Sequence, residues 1–217
     1  MWRRALAEGL GTALLVAIVV GSGIMAQQLS DDVGLQLLEN SLATTLGLAV
    51  LILMFQQVSG SHFNPVVTLV ERVVGGMDRT ADAAVYVGAQ LLGGLAGAAL
   101  ANAMFATPTA WSTTERATPA HLLAEVVATA GLVLVILSLV RTGRAAIVGP
   151  AVGAYIGAAY WFTSSTSFAN PAVTVGRMIT DTFAGIAPAS ALPFIAAQLV
   201  GGAIAVALAH ALFPRRP

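Results

Sequence analysis

Six long apolar runs decide what this chain can become. They lie at about 5–26, 37–56, 81–105, 120–140, 145–163 and 189–213, and each reaches the roughly 20 residues that a helix needs to cross a bilayer. Two shorter segments, about 64–75 and 170–180, fall between them and are too short to span. With 57% hydrophobic and 9% charged residues, the chain matches lipid, since about a quarter of a soluble domain is charged. The first run, behind Arg3 and Arg4, has a signal peptide as its alternative reading. Its length, the Glu8 inside it and its recurrence later in the chain favour a spanning helix.

The charge pattern orients these runs. All ten basic residues are arginine, balanced by ten acidic ones. With the amino terminus in the cytoplasm, Arg3, Arg4, Arg72, Arg79, Arg141, Arg144, Arg215 and Arg216 lie inside and only Arg116 and Arg177 outside. The positive-inside rule therefore favours both termini in the cytoplasm, and a multi-pass protein of the inner (plasma) membrane is expected. Zero net charge argues against nucleic acid, whose phosphates call for a basic surface. The absence of cysteine removes disulfides, thiolate nucleophiles and thiolate metal sites. His62, His121 and His210 stand apart and form no metal-ligand pattern. No catalytic residue, metal or cofactor is expected, because no nucleophile–base pair or phosphate loop is present.

The chain also repeats itself. Ala7-Glu8-Gly9-Leu10-Gly11-Thr12-Ala13 resembles Ala124-Glu125-Val126-Val127-Ala128-Thr129-Ala130. Asn64-Pro65-Val66-Val67-Thr68 recurs as Asn170-Pro171-Ala172-Val173-Thr174, and Ala89-Gln90-Leu91-Leu92-Gly93-Gly94 as Ala197-Gln198-Leu199-Val200-Gly201-Gly202. The offsets of 117, 106 and 108 residues describe one duplicated unit, about 1–110 and 117–217, within a single domain of 1–217. Three crossings per unit is an odd number, so the second unit is inverted relative to the first. In such architectures functional sites lie near the midplane, where the repeats meet.

Inversion gives the short segments their meaning. Asn is a favoured N-cap and proline is tolerated at the first helical position, so each Asn-Pro opens a helix. Each follows a polar lead, Ser59-Gly60-Ser61-His62-Phe63 or Ser164-Ser165-Thr166-Ser167-Phe168-Ala169. The two half-helices enter from opposite faces and meet amino end to amino end. Irregular backbone at that depth survives only in protein or beside a water-filled cavity. A cation there would face the positive ends of two helix dipoles, so the arrangement points to passive conduction of neutral solutes.

At these residues the chain resembles the major intrinsic protein family, the aquaporins and aquaglyceroporins, along essentially its whole length. The resemblance implies an all-α membrane protein of six transmembrane helices plus two re-entrant half-helices, assembled as a homotetramer in the lipid bilayer. It implies that Asn64 and Asn170 face the permeant molecule, and that backbone carbonyls of 60–63 and 166–169 form a ladder of acceptors. Glu8 and Glu125 would brace the re-entrant loops by accepting hydrogen bonds from their backbone, with proton coupling as the competing role for an intramembrane acid. Gln90 and Gln198 read as packing or loop-bracing residues. His62 falls at the cytoplasmic side of the pore, as a lining or a loop-packing residue. Gly93 and Gly97, and Gly149, Gly153 and Gly157, offer smooth faces for close helix crossing.

Two positions depart from the family's pattern. The first box is Asn64-Pro65-Val66 where Asn-Pro-Ala is usual, which places two extra methyl groups beside the pore; the second box, Asn170-Pro171-Ala172, keeps it. Most members carry arginine next, at the outer constriction, and here Val173 stands in that place. Arginine presents five donors and a fixed charge, valine neither, so the filter is expected to be wide and apolar. Ser167 is its loop contributor, Leu46 its second-helix contributor with Thr44 or Thr45 as alternatives, and Ala158 or Tyr160 its fifth-helix contributor. Arg177, one turn beyond Val173, either overhangs the vestibule or takes a blander role, snorkelling or pairing with Asp181; the second is favoured.

An arginine-less filter within Asn-Pro-Ala-Val-Thr-Val-Gly-Arg-Met is similar to aquaglyceroporin-like channels of bacterial arsenic-resistance operons. That implies small neutral solutes: metalloid hydroxides such as arsenous acid, organoarsenicals and glycerol-like molecules, arsenous acid being an uncharged mimic of a small polyol. Water-selective or general glycerol and urea conduction is the alternative. A proton-coupled secondary transporter, also built from inverted repeats and broken helices, is a further class.

Overall fold

Apolar side chains cover the outside of this protein as well as its inside. Leu92, Leu123 and Leu192 stand fully outward, while Glu8, Glu125, Gln90 and Gln198 are enclosed. That distribution suits a solvent of acyl chains, in which the polar groups must find partners within the protein. The computed structural model describes residues 1–213, so Arg215 and Arg216 lie outside the described residues. Among these the architecture is all-helical: α1 (Trp2–Leu29), α2 (Val33–Ser59), α3 (Pro65–Val74), α4 (Thr80–Met104), α5 (Pro119–Arg141), a 3₁₀ turn (Ala145–Ile147), α6 (Val148–Phe162), α7 (Pro171–Arg177) and α8 (Pro188–Leu212). The six long apolar helices, with the 3₁₀ turn leading into α6, make it a multi-pass membrane protein.

Local chemistry sets the helix ends. Asp32 caps α2 by accepting from the Leu35 amide, and Thr118 caps α5 through the His121 amide with Pro119 at the first position. Gly60 ends α2 and Gly75 ends α3 in the left-handed region, at φ 88° and 84°, where a side chain would be strained. The second half-helix is shorter than expected. It stops at Arg177 because the chain doubles back and the Ile186 amide takes the Arg177 carbonyl at 3.2 Å.

Glycine permits the close crossings. A Cβ on Gly93 would fall 2.2 Å from the Gly9 carbonyl oxygen, one on Gly97 2.1 Å from that of Ala13, and one on Gly201 2.5 Å from that of Val126. These contacts draw α4 onto α1 and α8 onto α5 in matching fashion. Gly153 and Gly157 do the same for α6 against α2, meeting Thr45. The half-helices are seated across the repeats: α7 lies on α4, with Gly94 under the Ala172 carbonyl, and α3 lies on α8, with Gly202 under Val66.

Candidate functional site

The two Asn-Pro turns build the centre of the molecule. Asn64 Oδ1 accepts from the Val66 amide, capping α3, while its Nδ2 donates to the Ala169 carbonyl at 2.8 Å. Asn170 mirrors this, accepting from Ala172 and Val173 amides and donating to the Phe63 carbonyl at 2.8 Å. The half-helices therefore meet at their amino ends. Each carboxamide is fixed in rotation, since its oxygen serves its own helix and its nitrogen serves the opposite loop. Both asparagines line one cavity of about 560 Å³, many times the ~30 Å³ share of one water in liquid.

The leads into the turns hold an unusual backbone. Ser61, Phe63, Thr166, Ser167 and Ala169 all have positive φ, between 48° and 60°, a region that non-glycine residues seldom enter. Two fully enclosed glutamates stabilise it. Glu8 accepts from Ser59 Oγ at 2.6 Å, the His62 amide at 3.0 Å, the Phe63 amide at 2.7 Å and Gln90 Nε2 at 2.8 Å. Glu125 accepts from Ser165 Oγ at 2.6 Å, the Phe168 amide at 2.9 Å, the Ala169 amide at 2.8 Å and Gln198 Nε2 at 2.6 Å. Gln90 and Gln198 each extend the brace to a threonine of the half-helix, Thr68 and Thr174. Among the described residues the carbonyls of 60–62 and 166–168 accept no hydrogen bond from the protein. Residues of both stretches line the cavity.

The opposite wall is a set of apolar stripes. Helix α2 contributes Thr44, Leu48, Ile52 and Gln56, and α6 contributes Val148, Val152, Ile156 and Tyr160, each at intervals of four. These are single i±4 rows on their helices. Val67 and Val173, equivalent positions of the repeats, flank the two asparagines. At the end nearer the amino terminus, the inner end in the expected topology, stand Arg4 and His62. The His62 ring nitrogen lies 3.0 Å from Thr68 Oγ1, and its ring rests 5.3 Å from that of Tyr86, which itself accepts from Arg4. At the outer end Thr44 and Tyr160 hydroxyls share a 3.1 Å hydrogen bond beside Ser167, Phe168, Val173 and Arg177.

Several expected positions move. Leu46 is 66% exposed on the outward face of α2, because it lies off the Thr44–Leu48 row. Thr45 turns into the α2–α6 seam, its hydroxyl returned to the Ser41 carbonyl. Ala158 is exposed, two residues off the row that carries Ile156 and Tyr160. Pro65, Val66, Pro171 and Ala172 are buried away from the cavity, so the extra methyl groups of Val66 fill the space over Gly202. Val173 is 5% exposed and lines the cavity, as does Ser167. Arg177 overturns the expectation of a bland role. It is 3% exposed and lines the outer cavity, while Asp181 is taken by the Thr113 amide and hydroxyl of the α4–α5 loop. Helical spacing from Val173 indicated Arg177, and nothing in the sequence marked the carbonyl and ring that hold it.

Known proteins share this geometry and its sequence. The family model for the major intrinsic protein, MIP, matches residues 1–167. Aquaglyceroporin AqpS of Rhizobium meliloti (strain 1021) is 50% identical over 217 residues, covering 99% of this chain and 92% of that one. Human Aquaporin-2 is 41% identical over 98 residues, 45% of this chain and 34% of its own length. The X-ray structure of the aquaglyceroporin from Plasmodium falciparum superposes with a TM-score of 0.70 over 98% of this chain and 97% of that one, at 22% identity, a likeness of fold. The duplicated Asn-Pro turns, the paired glutamate braces and these likenesses agree: the chain belongs to the major intrinsic protein family.

Proposed function

We propose that this aquaglyceroporin-type channel passes small uncharged solutes broader than water through a constriction without the usual arginine. Polyol-like molecules, metalloid hydroxides such as arsenous acid, and organoarsenicals are the solutes in view. The observation that carries the reading is Val173: it lines the cavity directly after the second Asn-Pro turn and offers only methyl groups. A solute leaving water needs replacement partners, and the free carbonyls of the two leads supply acceptors while the asparagines supply donors. The apolar stripes of α2 and α6 accept the carbon face of a polyol. The name of the Rhizobium relative, an aquaglyceroporin, agrees with that preference.

Members of this family are channels and not enzymes, and the intramembrane acids here are committed to loop backbone. We take the two repeats as one channel domain, four copies as the assembly, and the inner membrane with both termini in the cytoplasm as the setting. The test is permeation by purified protein in liposomes, with glycerol, arsenous acid, urea and water compared under identical gradients. Wild type conducts glycerol and arsenous acid well above empty liposomes, and Val173→Arg loses both while retaining water. Unchanged glycerol and arsenous acid flux through Val173→Arg would refute the assignment of the constriction.

A further inference from the structure

The outer end of the cavity contains a cation that the protein leaves incompletely satisfied. Arg177 is almost wholly enclosed, yet its partners among the described residues are a carbonyl and a ring, with no carboxylate. Its Nε donates to the Ala184 carbonyl and its guanidinium carbon lies over the Phe168 ring, 3.4 Å from the centroid. Phe168 is held in turn by an edge contact with Phe194, 5.2 Å between centroids, and carries Arg116 at 5.5 Å. Arg116 itself is tied to the Gly185 and Phe183 carbonyls.

The two terminal nitrogens of Arg177 make no hydrogen bond within the described protein, and the side chain lines the cavity. An enclosed guanidinium whose terminal nitrogens lack partners is costly. What satisfies these four N–H groups is therefore whatever occupies the cavity. Arg177 lies one turn beyond Val173 on the same face of α7, and helical side chains lean back toward the amino end. Its head is thus carried toward the level that Val173 leaves bare.

We propose that Arg177 is the specificity-determining donor of this channel: rooted one helical turn beyond Val173, its guanidinium reaches back toward that level and hydrogen-bonds hydroxyl oxygens of an entering polyol. This rests on the channel reading above and adds the residue that selects the solute. Phe168 backs the guanidinium from one side, and Val173 leaves the passage beside it open.

The test uses the full chain in liposomes, with glycerol and water as probes. Arg177→Met keeps an unbranched side chain against the Phe168 ring and removes all donors. Loss of one hydrogen bond to a charged donor corresponds to roughly a tenfold effect, so the glycerol-to-water permeability ratio falls about tenfold. Arg177→Lys, which retains ammonium donors, recovers part of the ratio. A ratio within about twofold of wild type in Arg177→Met, measured on protein of unchanged thermal stability, overturns the proposal. So does an equal loss of both fluxes and of stability in Met and Lys variants, since that marks a purely structural clamp. If wild type itself carries no glycerol, the channel assignment fails first, and the donor role with it.

Discussion

Replacing Glu125 by glutamine isolates what the buried acid does. The substitution preserves shape and removes one acceptor, so one side of the carboxyl must face donors with an NH₂ group. The cheaper orientation turns that group toward Ser165 and Phe168, because the Ser165 hydroxyl can rotate and accept, leaving only the Phe168 amide unpaired. An orphaned buried donor costs about 1–3 kcal/mol, and loss of charge from the remaining bonds to Ala169 and Gln198 brings the total to about 2–4 kcal/mol. At 1.4 kcal/mol per tenfold, the outer lead opens on the order of 30- to several-hundred-fold more often. Amide hydrogen exchange at Phe168 and Ala169 in detergent-solubilised protein reads this directly, and the glycerol-to-water ratio falls with it because Ser167 and Phe168 line the cavity. Exchange changed by less than about threefold, together with intact flux, would refute the brace, since the four hydrogen bonds would then carry no net stability.

Two further outcomes follow from the same geometry. Thr44→Val removes the hydroxyl shared with Tyr160 at the outer end and lowers the glycerol-to-water permeability ratio a few-fold, roughly one neutral hydrogen bond, whereas Leu46→Ala, on the outward face of α2, leaves it unaltered; the opposite ranking would show the α2 register to be misassigned. Asp181 is held below the usual carboxylate range by the Thr113 amide, then by the Thr113 hydroxyl. Its tether on the α4–α5 loop is therefore complete above the ordinary aspartate pKa and is lost as pH falls through the lowered one. Exchange of the Thr113 amide accelerates across that acidic window in wild type, and Asp181→Asn brings the faster rate to neutral pH; equal pH profiles for the two would contradict this.

Much of the architecture could be read from the chain because the signals were redundant. Run length gave the six spans, and the repeated Asn-Pro boxes and glutamates gave the half-helices and their meeting point. The α2 contribution was harder, since α2 is apolar all round and its composition does not distinguish the cavity row from the lipid face. The row Thr44, Leu48, Ile52, Gln56 emerges only when the partner row on α6 is known. The partners of Arg177 escaped for another reason. Sequence spacing offered Asp181 as a neighbour four residues on, while the chain reversal after α7 gives that acid to Thr113 and gives the guanidinium a carbonyl and a ring instead. Val66 failed similarly: its place in the motif suggested the pore, and the Gly202 gap that receives it lies 136 residues away.

That gap has a consequence for how the protein is made. Helix α3 is seated on α8, which is translated well after it, through Val66 against Gly202. Until α8 has been inserted the first half-helix lacks one wall, and until residue 169 is in place Asn64 lacks the Ala169 carbonyl that completes it. Neither half can finish its own centre. The central turn is therefore complete only once both repeats are in place, each supplying the carbonyl that the other's asparagine needs.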